Sequence, residues 1–199
     1  MTDLSKTASS LLHPAELWSS GQVLANPSPA PRQPGVYAWY FRRAPPRVPT
    51  RECHRHGDLI LLYTGISPRQ PPANGARPSK QSLLQRLRYH FRGNAEGSTL
   101  RLTLGCLLSD ELRIELRRVG SGERMTFGLG EAKLTAWMAE NALVAWVVCP
   151  EPWKLEEHLI RTVALPLNLD QNRQHPFHTD LSGLRSACKA KARALPVSH

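Results

Sequence analysis

The chain has 199 residues, 26 Lys plus Arg against 16 Asp plus Glu, a net charge of +10 at neutral pH and 41% hydrophobic residues. This length suits one well-buried domain and is short for two, and the charge makes a polyanion the expected partner. No apolar run approaches the ~20 residues of a bilayer span, and the first twenty residues hold only Leu11-Leu12 as an apolar pair, too little for a secretory leader. Cys53, Cys106, Cys149 and Cys188 form no CxxC pair and read as reduced thiols, which points to the cytoplasm; Cys53-His54-Arg55-His56 matches no standard zinc spacing.

Residues 1–33 read as an arm: a short helix with Leu11, Leu12, Ala15 and Trp18 on one side, then the stiff linker Asn26-Pro27-Ser28-Pro29-Ala30-Pro31. Two short runs rich in apolar and aromatic residues, Gly35 to Phe41 and Leu59 to Gly65, predict strands. Between them 42–58 is too long for a tight hairpin turn and reads as an insertion, and a second Pro-rich insertion occupies 67–79. In the next run Leu83, Leu84, Leu87 and Phe91 recur at helical steps, with Ser79 or Ser82 as cap and Gly93 as stop. Arg86 and His90, four residues apart, share one face of that helix.

A second helix is predicted from Ser98 or Thr99 to about Leu107, and Leu112, Ile114 and Leu116 alternate with charges as in a half-exposed strand. After a turn at Gly120-Ser121-Gly122 comes a helix from Glu131 to Asn141, whose Trp137 and Met138 are core residues. Ala145 to Cys149 reads as a buried third strand stopped by Pro150 and Pro152, followed by a helix from Trp153 to Ala164 that carries Glu156. Asp180 can cap a final basic helix over Leu181 to Ala194, within an extension covering 170–199.

Taken in order, Gly35-Val36-Tyr37, Tyr63-Thr64-Gly65, Arg86 on the following helix, Glu156 and Pro166-Leu167-Asn168 resemble the motifs of the GIY-YIG nucleases. The step from Glu156 to Asn168, 12 residues, agrees with the family, and the resemblance covers about 34–169. It implies an α/β fold of the mixed α+β kind, with a small, mainly antiparallel three-stranded sheet flanked by helices. It also implies a metal-dependent endonuclease acting on DNA, with RNA as a further possibility, using Mg²⁺ or Mn²⁺ held by Glu156. Arg86 would clamp the scissile phosphate, Tyr37 and Tyr63 would turn their hydroxyls into the site, and Asn168 would tie its segment back to it. His90 would bond the phosphate, orient a tyrosine or merely pack, and Gly35 and Gly65 would be backbone requirements.

Basic residues near the half-motifs, Arg42, Arg43, Arg69, Lys80, Arg88 and Arg92, suggest a groove that follows a phosphate backbone. One departure is Ile66, where the excision-repair branch of the family carries a lysine; Lys80 or His90 could replace that lysine. The two insertions look more like those of the restriction-enzyme branch, and a homodimer is one way a single centre per chain could cut both strands. The rival reading is a nucleic-acid-binding module on the same scaffold that has lost turnover.

Overall fold

The computed structural model describes residues 2–72 and 79–198; the middle of the second insertion, including Arg77 and Pro78, lies outside these described residues. The strands are β1 (Gly35–Phe41), β2 (Arg55–His56), β3 (Leu59–Ser67), β4 (Arg117–Val119), β5 (Arg124–Thr126) and β6 (Ala142–Val148). The helices are α1 (Thr2–Leu12), α2 (Ser20–Leu24), α3 (Leu83–Arg92), α4 (Thr99–Leu107), α5 (Ser109–Leu112), α6 (Gly130–Asn141), α7 (Pro152–Thr162) and α8 (His178–Ala194). Among the described residues no helix is long and apolar enough to cross a membrane.

The mixed α+β expectation holds, with one correction: the main sheet has four strands, in the order β2-β3-β1-β6 and antiparallel throughout, instead of three. The extra strand comes from the end of the first insertion, where Gly57 at φ +58° lets His56 turn back onto Leu59 in a tight hairpin. Its two residues are too few to leave a period-2 pattern in the sequence.

β1 is buried along its whole length because helices cover both faces of the sheet. Tyr37, Trp39 and Phe41 enter a core with α3, α4, α6 and α8, while Val36, Ala38 and Tyr40 enter another with Ala8 and Leu11 of α1 and Leu155, Leu159 and Ile160 of α7. A two-sided burial of this kind produces a continuous apolar run instead of alternation. A bulge lies opposite Trp39 and Tyr40, where the β3 register steps from Tyr63 to Leu61. The extra residue, Leu62, thereby joins the same core as Trp39, and its carbonyl accepts from the Leu167 N–H, bringing the segment after α7 against β3.

The N-terminal arm packs on the sheet. α1 stops at Leu12, before His13-Pro14, so Ala15 and Trp18 do not continue its face as the sequence suggested. Instead Trp18 exchanges backbone hydrogen bonds with Val144 of β6, and its indole stacks on Trp146 at 5.6 Å. The Pro-rich linker lies against the start of α3, where the carbonyls of Pro31 and Gln33 accept from the first two N–H groups, which no helix can satisfy internally.

Two further expectations are corrected. Leu112, Ile114 and Leu116 do not form a strand: α5 ends with Arg113 in the left-handed region, Ile114 and Leu116 are buried in irregular chain, and β4 begins only at Arg117. Tertiary burial, not strand pairing, explains their alternation. The last helix starts at His178, and Asp180 lies in its first turn without capping it.

Candidate active site

α3 is the element on which the site is assembled. Ser82 and Gln85 form a reciprocal capping box at its start, and Leu83, Leu87, His90 and Phe91 face the sheet. That fixes the helix rotation, leaving Arg86 half-buried one turn before His90. Arg86 donates from Nε to the Tyr37 hydroxyl at 3.4 Å and from a terminal nitrogen to the Gly97 carbonyl at 2.9 Å.

Tyr37 and His90 meet at 2.8 Å through the phenol oxygen and Nε2, and His90 Nδ1 lies 2.7 Å from Ser98 Oγ. Ser98 is fully buried and already accepts from the Arg101 N–H as the cap of α4. The neutral imidazole thus bridges the Ser98 and Tyr37 hydroxyls, donating to one and accepting from the other. The Tyr37 oxygen also receives the Arg86 Nε–H donor. His90 itself is fully buried and reaches the cleft only through Tyr37.

Burial, and next the Arg86 and Arg101 charges, hold the His90 pKa well below its ordinary value of 6.5, so the imidazole is neutral in the fold. As pH falls below 6.5 the unfolded chain takes up this proton first, so the stability tied to His90 is complete above that value and declines below it. The decline approaches about 1.4 kcal/mol per pH unit. We expect urea unfolding between pH 6.5 and 5 to show a steeper loss in the wild type than in His90→Gln; equal slopes would mean that His90 titrates as in water.

The glycines of the half-motifs are steric requirements. A methyl at Gly65 would lie 2.6 Å from the Tyr37 oxygen, and one at Gly35 would lie 2.1 Å from the Val147 carbonyl oxygen. Tyr37 thus lies across Gly65, its partner on β3. Asn168 clasps the same strand: Oδ1 accepts from the Thr64 N–H and Nδ2 donates to the Thr64 carbonyl, both at 2.9 Å. With both amide atoms occupied, Asn168 holds the segment after α7 to the strand between Tyr63 and Gly65.

A cleft of about 340 Å³ gathers Tyr37, Tyr63, Gly65, Arg86, Glu156 and Asn168, together with Arg69. Tyr63 has one long contact, 3.4 Å to Thr99 Oγ1. Burial raises the pKa of both phenols; for Tyr37 the neighbouring Tyr63 adds to this and Arg86 opposes it, while for Tyr63 the Thr99 hydrogen bond opposes it. Glu156 has no hydrogen-bond or ion-pair partner among the described residues, and burial, then Asp170, push its carboxyl up to about 7 against the opposing Arg69. Glu156 and Asp170 are the carboxylates of the cleft among the described residues. The Glu156 carboxylate, whose negative charge is disfavoured until a cation arrives, fits a hard divalent ion, with Asp170 as a second oxygen donor in the same cleft. Thr99, Trp153, Asp170 and Arg185 also line the cleft, though the motifs did not single them out.

The basic residues divide by partner. Arg43 forks onto Glu111 and stacks over Trp137, and Arg88 donates to the Val23 and Ala25 carbonyls of the arm. Arg42, Lys80 and Arg92 are exposed, and Lys80 does not line the cleft. Arg101 is fully buried against Glu131. Arg69, three residues after Ile66 in the chain, lines the cleft as Lys80 does not. Cys53 and His54 are turned to the carbonyls of Pro49 and Leu12.

Comparison with curated proteins and with solved structures returned no match. The family model described as the GIY-YIG catalytic domain matches residues 35–187, a span that starts at the first residue of β1 and takes in every side chain of the cleft. With Tyr37, Tyr63, Arg86, Glu156 and Asn168 standing in the family's order within that match, the chain belongs to the GIY-YIG nuclease family.

Proposed function

We propose that the protein is a divalent-cation-dependent endonuclease that hydrolyses phosphodiester bonds in DNA. The observation that carries this reading is the convergence of two phenols, a guanidinium and an unpaired carboxylate, from four separate elements, on one cleft. Glu156, assisted by Asp170, would hold the cation, which when bound polarises phosphate oxygen and lowers the pKa of water.

The remaining work falls to the chain's own groups. Arg86 keeps two of its N–H groups engaged with Tyr37 and Gly97 and turns the rest of its planar fork to the scissile phosphate. Tyr37, after giving its own proton to water in the cleft, holds the attacking water as a phenolate and takes its proton. A free phenol would need about 4 kcal/mol to ionise at pH 7 and burial adds to that, while the Arg86 N–H, and His90 when it donates from Nε2, oppose it at the oxygen where the charge forms. Tyr63, nearly free of partners, orients the water or a phosphate oxygen from the other side. Arg69 and Arg185, which have no hydrogen-bond or ion-pair partner among the described residues, bind neighbouring phosphates.

Supercoiled plasmid with Mg²⁺ tests the proposal. Wild-type protein is expected to nick it, EDTA to stop the reaction, and Glu156→Gln, which keeps the shape but not the charge, to lower the rate by about 10³-fold. Equal nicking by wild type and Glu156→Gln would overturn the assignment, and salt-sensitive binding with no nicking by either would leave a binding module on this scaffold.

A further inference from the structure

Trp153 is the one large aromatic of the cleft that the hydrolytic chemistry does not use. It begins α7 one turn before Glu156, so the two side chains share a face, and both line the cleft. Among the described residues its indole joins neither apolar core and stacks on no other ring. The other tryptophans are all accounted for: Trp39 and Trp137 are buried, and Trp18 and Trp146 stack on each other and pack on the core. Ile160 and Leu169 add apolar surface to the cleft, and Arg69 and Arg185 add charge.

This mixture is more than a phosphate requires. Cations suffice for a sugar-phosphate strand, and a fully paired duplex offers a protein its phosphates and the edges of its bases, never their flat faces. A half-buried indole that lines the cleft one turn from the Glu156 carboxylate, and stacks on no ring among the described residues, suits a base that is out of the stack. We propose that Trp153 stacks on an unpaired base next to the scissile phosphate, and that the substrate class is DNA with a single-stranded nucleotide at the cut, such as a flap, gap or junction arm. This deepens the nuclease reading of the same cleft and rests on it.

The test measures binding in EDTA, where turnover is not needed, by fluorescence anisotropy. Three probes share one duplex: blunt, with a single-stranded thymidine tail, and with an abasic tail that keeps every phosphate and lacks the bases. Wild-type protein is expected to bind the thymidine tail roughly 5- to 150-fold more tightly than the abasic one. Trp153→Ala is expected to bind both tails equally, at the level of the abasic tail, and Trp153→Phe to keep most of the preference. No preference in the wild type, an unchanged preference in Trp153→Ala, or an equal loss on both tails would overturn the inference, the last because it marks a merely structural role. Plasmid nicking without any tail preference would remove this inference and leave the nuclease reading standing, whereas a Trp153-dependent tail preference without nicking would remove the nuclease reading, and with it the cut beside the base, and leave only the stacking contact.

Discussion

Replacing Arg86 with alanine is expected to lower the cleavage rate by about 10³-fold while changing DNA affinity little. The side chain works in two directions. Its Nε and one terminal nitrogen are engaged with the Tyr37 hydroxyl and the Gly97 carbonyl, which fixes the plane of the fork and leaves the outer N–H groups for phosphate. Loss of the guanidinium removes a donor from developing charge on phosphorus and from the Tyr37 oxygen together, and both interactions strengthen in the transition state. Lysine at this position cannot reproduce the fork and is expected to recover less than tenfold of the loss. Folding should survive, since the two lost hydrogen bonds are worth about 1 kcal/mol each. The check is a single-turnover rate beside a binding curve in EDTA; a near-wild-type rate for Arg86→Ala would remove Arg86 from the chemistry.

The largest effect on stability is expected at Arg101, which touches no substrate. Its guanidinium is fully buried, and every N–H finds an acceptor: Nε and one terminal nitrogen on Glu131 Oε2, that nitrogen also on the Glu131 carbonyl, and the other nitrogen on the carbonyls of His90 and Phe91. Those last two belong to the final turn of α3, whose carbonyls have no partner within the helix. Arg101→Met would strand the Glu131 charge and open the end of α3, at about 3–5 kcal/mol, or roughly 6–20 °C in Tm. Arg88→Met, which removes hydrogen bonds to arm carbonyls from a half-buried site, should cost only about 1 kcal/mol. Adding Glu131→Gln to Arg101→Met should restore part of the loss, because the amide oxygen still accepts from the Ala95 and Phe127 N–H groups without a buried charge. Calorimetry showing Arg101→Met within about 1 kcal/mol of wild type would contradict this account.

The candidate site was legible wherever the signal is local. Leu83, Leu87 and Phe91 announce α3 by helical spacing, Ser79 or Ser82 marks its start, and Arg86 and His90 follow on one face by arithmetic. His90 shows where local spacing stops being enough. Helical spacing alone allowed it to bond phosphate, orient a tyrosine or pack, and only the packing of α3 against Tyr37 and Trp39 buries it behind the phenol. Asp170 and Arg185 escaped notice for the same reason, since nothing near them in sequence marks them as neighbours of Glu156.

The amino-acid sequence by itself determined the half-motif strands, the starts of α3 and α4 to within a choice of two capping residues each, and the order of Tyr37, Tyr63, Arg86, Glu156 and Asn168, because each depends on residues within a few positions or on an order that folding cannot change. Tertiary structure alone decided which cations are free. Arg86 faces the cleft, Arg88 holds the arm, and Arg101 is buried with Glu131, although all three are arginines within sixteen residues. It also supplied the fourth strand and the clasp of Asn168 on Thr64. The physical reason is that the state of a charged or polar group is set by what it meets in space, and here those partners lie 10 to 104 residues away along the chain.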